Sequence, residues 1–80
     1  MEKEEIIRIF AENVRVERAR RRLTQEKLAE MADITPEYLA RIEKEKYSPS
    51  LVVIVKLALA LNVSVDTLIP INSNTLKNNS

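Results

Sequence analysis

The groups in this chain best suited to chemistry are guanidinium and ammonium ions, and they are clustered. Arg15, Arg18, Arg20, Arg21, Arg22 and Lys27 stand against only Glu17 and Glu26, so residues 15–27 carry +4. Residues 1–14 carry −2, because Glu2, Glu4, Glu5 and Glu12 outweigh Lys3 and Arg8. A second basic group, Arg41, Lys44 and Lys46, is interrupted by Glu43 and Glu45. The formal net charge of +1 hides this separation. A local positive field is what a polyanion meets on approach. The competing reading of such charge runs is solvated helix faces.

Composition excludes most other chemistry. The 80 residues contain no Cys, His or Gly. Disulfides, thiolate nucleophiles, imidazole acid–base catalysis and most zinc sites need Cys or His. Phosphate-cradling loops need Gly. Only Lys, Tyr, Ser, Thr and scattered acids remain, so no enzyme, cofactor or metal site is expected. The apolar stretch Leu51–Leu61 falls short of the roughly twenty residues that a membrane helix needs. The acidic amino terminus, Met1-Glu2-Lys3-Glu4-Glu5, is unlike a secretory signal. These features predict a small cytoplasmic domain with no membrane contact.

The elements that must carry the basic groups are helical. Helix formers dominate and few segments alternate, so the chain is expected to be all-α, with five helices. The first runs from about Glu4 to Arg21, with Ile6, Ile7, Phe10 and Val14 inward. Thr24 caps the second, Gln25–Ala32, which buries Leu28, Ala29 and Ala32. Thr35-Pro36 places a cap before proline at the first helical position. That third helix runs to about Lys44, burying Leu39 and Ile42. Ser48-Pro49-Ser50 introduces the fourth, Leu51–Leu61, with Leu51, Ile54, Leu57, Ala58 and Leu61 inward. Ser64 caps a short fifth, from Val65 to Leu68 or Ile69. Residues 1–69 form the domain, and residues 70–80 read as a loose tail.

The link between the second and third helices is too short for comfortable antiparallel packing, and sets them near a right angle as a helix-turn-helix. In a twenty-residue unit starting at Gln25, small or apolar residues belong at the fourth, fifth, eighth, tenth, fifteenth and eighteenth positions. Leu28, Ala29, Ala32, Ile34, Leu39 and Ile42 fill all six. Ala29 stands where the helices cross and must be small.

With those residues in place, the stretch from Val14 to Ile69 resembles the phage Cro/repressor, or XRE, type of helix-turn-helix domain. The matching motifs are Leu23-Thr24-Gln25-Glu26-Lys27-Leu28-Ala29, Ile42-Glu43, Pro49-Ser50 and Val63-Ser64-Val65-Asp66-Thr67-Leu68. The resemblance implies a compact five-helix repressor-like domain whose partner is double-stranded DNA. The chain departs from the family where glycine is common: Arg22, Asp33, Glu45 and Asn62 stand there instead. Either those turns take another shape or they accept strain. The left-handed conformation costs a residue such as Arg or Glu about 1 kcal/mol.

In that geometry the third helix enters the major groove, with Thr35, Pro36, Glu37, Ala40 and Arg41 toward the bases. Arg41 is the first candidate for reading guanine O6 and N7, or for clamping a phosphate. Glu37 either accepts from cytosine N4 or serves the helix dipole. Phosphate contacts fall to Thr24, Gln25, Lys27, Tyr38, Lys44, Lys46 and Arg22, with Arg21 a further candidate. Tyr38 is also a candidate for partial burial. The resemblance further implies an ion pair, Arg18 with Glu43, aligning the first helix with the third.

One recognition helix reads about four or five base pairs, too few to define a site, and two-fold dimers on palindromes solve this. The fourth helix is apolar nearly all round, which indicates burial on more than one side. A homodimer is therefore expected through Val52, Val55, Leu59, Val65, Leu68 and Ile69, with help from Ile71. The function that follows is sequence-specific transcriptional regulation, as a repressor, an autoregulator or a controller of restriction–modification genes. The alternative is a protein-interaction module on the same fold.

Overall fold

The computed structural model describes residues 1–71, so most of the expected tail lies outside the described residues. Five helices follow one another: α1 (Lys3–Arg20), α2 (Gln25–Ala32), α3 (Pro36–Glu43), α4 (Leu51–Leu61) and α5 (Val65–Leu68). No strand occurs among the described residues. The first helix starts and ends one residue before its expected bounds, and α3 stops at Glu43, with Lys44 as its C-cap.

Side-chain caps define four of the five starts. The hydroxyls of Thr24, Thr35, Ser50 and Ser64 accept from the backbone N–H groups of Lys27, Tyr38, Val53 and Thr67. Each satisfies a donor that the first helical turn leaves unpaired. The helix ends settle the question of the missing glycines. Arg22, Asp33, Glu45 and Asn62 all adopt left-handed backbone, with φ of 54°, 57°, 62° and 57°. The turns therefore keep the shape that glycine would give and accept the strain.

At the turn between α2 and α3, the Ile34 N–H donates to the Ala29 carbonyl at 3.0 Å, and the Asp33 N–H to that of Glu30 at 3.2 Å. Those bonds close the end of α2 and turn the chain into α3. Beneath the turn lies the core: Phe10, Val14, Leu28, Ala29, Ala32, Leu39, Ile42, Leu57, Leu61 and Leu68 are all buried. Full burial of each large aliphatic side chain contributes about 1.5–3 kcal/mol. Because Leu39 and Ile42 anchor one side of α3 in this core, its opposite side is turned to solvent.

On α4, Leu51 is 74% exposed rather than inward, and Val53 is buried in its stead. At 100° per residue, Val53, Leu57, Ala58 and Leu61 define the inner face, and Leu51 falls roughly a quarter-turn away from its centre. Ile6 is likewise at the surface rather than in the core. Among the described residues, no helix is long and apolar enough to cross a membrane.

Candidate nucleic-acid interface

The outward side of α3 is built from residues that the core does not claim. Thr35, Pro36, Glu37, Arg41 and Lys44 are exposed, and Ala40 is half-buried. Thr35 Oγ1 caps the helix by accepting from the Tyr38 N–H at 3.1 Å, which leaves its own proton available. Among the described residues, the side chains of Glu37, Arg41, Lys44 and Lys46 make no hydrogen bond or ion pair within the chain. All four are exposed and stand as available donors and acceptors.

The buried edge of α3 is bound tightly to its neighbours. Arg18 donates through Nε to Glu43 Oε2 at 2.8 Å and through Nη2 to Oε1 at 3.0 Å. Its remaining Nη1 reaches the Leu23 carbonyl at 2.9 Å. Gln25 Nε2 also donates to Glu43 Oε1, at 2.9 Å. Arg15 Nη1 bonds to the Glu43 backbone carbonyl. One carboxylate thus joins α1, the start of α2 and the end of α3. The hydrogen bonds that Arg18 donates to Glu43 raise its pKa above the ordinary value; burial opposes this, and the charges of Glu43 and Glu26 reinforce it.

These bonds sort the basic residues into two groups. Arg15 and Arg18 serve Glu43. Arg20 and Arg21 serve Glu17, at 3.1 and 2.7 Å. Arg21 is therefore engaged with Glu17 through Nη1 while remaining exposed. Glu17 is itself almost fully buried, a position that reading the chain for apolar residues passed over. Its spacing of three and four residues from Arg20 and Arg21 was the available signal. Arg22, Lys27, Lys44 and Lys46 remain exposed, with Lys27 loosely paired to Glu30 at 3.5 Å. Thr24 Oγ1 accepts from the Lys27 N–H at 3.0 Å, which leaves its own proton available. Gln25 spends one N–H of its amide group on Glu43 and keeps the second N–H as a donor. Tyr38 is half-buried against the core, and its ring lies 4.9 Å from that of Tyr47.

The residues expected to form a dimer surface divide as well. Val52 and Leu59 are largely exposed, and Val55 and Val65 partly so. Ile69 is half-buried against the core, and Ile71 is half-buried. Leu68 is a correction: it is fully buried inside the domain and cannot meet a partner. Leu51 takes its place on the solvent side, so Leu51, Val52, Val55 and Leu59 make one aliphatic stripe along α4.

Residues 14–68 match the family model described as Helix-turn-helix. The chain belongs to the helix-turn-helix family, of the XRE type. Within that helix-turn-helix, α2 is the first helix of the motif and α3 the second. The chain is similar to the immunity repressor protein of Bacillus phage phi105, 38% identical over 58 residues, which are 72% of this chain and 40% of the phage protein. Less than half of that repressor's length is thus matched. It is also 38% identical over 65 residues to control protein C.SmaI of Serratia marcescens, covering 81% of this chain and 77% of that protein. Among solved structures, the restriction-modification controller protein C.AhdI from Aeromonas hydrophila superposes with a TM-score of 0.75 at 32% identity, over 78% of this chain and 94% of the other.

Proposed function

We propose that this helix-turn-helix protein is a cytoplasmic, non-enzymatic transcriptional regulator that binds a short palindromic DNA site as a homodimer. The observation that carries this reading is the outward side of α3, where Glu37, Arg41 and Lys44 are exposed and unengaged among the described residues. Elsewhere the chain pairs its buried charges. A rigid helix with a satisfied inner edge and an unsatisfied outer one is suited to base edges in a major groove. Arg22, Lys27 and Lys46 are placed in this reading on the flanking phosphates, where they fix register without reading sequence. Thr24 offers its hydroxyl proton to the same backbone.

The names of the similar proteins, a phage immunity repressor and restriction–modification controllers, support regulation of this kind. The exposed stripe on α4 supports the dimer, because four adjacent aliphatic side chains in water favour a second copy. Selection of bound fragments from random duplex DNA tests the whole proposal. The expected result is a palindromic consensus, bound less tightly as salt rises. Recovery of no preferred duplex would overturn it in favour of a protein-interaction module.

A further inference from the structure

Tyr47 has no part in the core or in the reading of α3, yet it is held in a defined place. Its ring lies 4.9 Å from that of Tyr38, tilted by 30°. The chain is brought there by the end of α3. The Glu45 N–H donates to the Ile42 carbonyl at 3.0 Å and the Lys46 N–H to the Arg41 carbonyl at 2.9 Å, with Glu45 in left-handed backbone. This closure reverses the chain and lays Tyr47 against Tyr38. At 100° per residue, Tyr38 follows Arg41 around α3 by about a sixth of a turn, at the margin of the outward side. The pair therefore forms a shoulder along one edge of the recognition surface.

Packing accounts for the rings but not for the hydroxyls. Tyr47 is 43% exposed, and neither phenol oxygen is hydrogen-bonded among the described residues. Lys46, the residue before it, carries an exposed ammonium group without an ion-pair partner among the described residues. When a helix lies in a major groove, each margin of its outward side faces a phosphodiester strand. The geometry points to Tyr47 as a DNA-backbone contact: its hydroxyl donates to a phosphate oxygen, and Tyr38 is the positioning residue that holds the ring in place. This inference rests on the DNA-binding reading and adds a contact to it.

The test uses the full chain and a duplex it selects from a random pool. Tyr47→Phe keeps the ring stack and removes only the hydroxyl. It is expected to weaken binding about three- to ten-fold on the selected duplex and to the same degree on its single-base variants. The salt dependence should not change, because a neutral donor releases no counterion. Thermal unfolding should also be unchanged, so that the loss of affinity is separated from any loss of fold. Replacing single phosphates by neutral methylphosphonates should identify one position at which Tyr47→Phe has no further effect. Parental affinity in Tyr47→Phe overturns the assignment alone, and so does a loss confined to one base pair. If no duplex is selected at all, the DNA-binding reading fails, and the assignment falls with it.

Discussion

Arg18 and Glu43 meet as a bidentate pair, two parallel N–H···O bonds of 2.8 and 3.0 Å between α1 and the last residue of α3. The Glu43 side chain is only 4% exposed, so removing the arginine leaves a buried carboxylate without its charged partner. Arg18→Ala should lower unfolding free energy by about 3 kcal/mol in urea titration, the scale for breaking a buried pair from one side. Because the folded pKa of Arg18 is raised, its share of stability is fully present below the ordinary arginine value. It is lost only as pH rises through the still higher folded value. Stability measured from pH 7 to 10 should therefore show no titration from this arginine.

The left-handed residues give an opposite prediction. Arg22→Gly and Glu45→Gly relieve backbone strain at φ 54° and 62°. Each should raise stability by about 0.5 kcal/mol, once the extra freedom glycine gives the unfolded chain is set against the relief. The same change at Asn62 should be closer to neutral, because asparagine tolerates this conformation better. Destabilisation at Arg22 or Glu45 would mean that their side chains hold the turn by contacts rather than burden it.

Arg41→Ala should leave the fold intact, since the side chain is exposed and unbonded among the described residues. Affinity for the selected duplex should fall about ten- to a hundred-fold, with a smaller loss on unrelated DNA. Gel-shift titration on both duplexes measures the two losses separately. Equal losses would move Arg41 from base reading to the phosphate backbone.

Lys46→Ala should behave differently from Arg41→Ala. Its expected signature is a salt slope shallower by about 0.9, with discrimination between duplexes unchanged. Binding isotherms at several salt concentrations give this slope directly. An unchanged slope would remove Lys46 from the interface.

Val52→Glu combined with Leu59→Glu places two carboxylates in the aliphatic stripe of α4. Sedimentation should then report a mass near the 9.2 kDa of one chain, instead of twice that. A wild-type protein that already sediments as a monomer would rule out the stripe as the dimer surface.

The elements were legible because caps and spacing act locally. Thr24, Thr35, Ser50 and Ser64 mark helix starts by side-chain chemistry alone, and the six apolar positions from Leu28 to Ile42 fix how α2 and α3 pack. On α4 this logic weakened. A helix apolar on nearly every side offers no contrast from which to pick the inner face, so Leu51 and Val53 exchanged roles. Leu68 is buried rather than turned to a partner, and a four-residue helix has too few positions to define a side from its pattern. Which arginines are engaged depends on tertiary distance. Arg15, Arg18, Arg20, Arg21 and Arg22 look alike as a run, and only the folded chain separates the four tied to Glu43 or Glu17 from Arg22.

Under the proposed function, the Glu43 hub also bears on how target preference can change over generations. Its bonds lie on the inner edge of α3, whereas Glu37, Ala40, Arg41 and Lys44 lie outside that network. Exchanging those outer side chains for others of good helix propensity disturbs no buried charge and opens no cavity. The alphabet on the reading surface can thus be rewritten while the scaffold stays the same, so new operators are open to descendants of this chain without a prior gain in robustness.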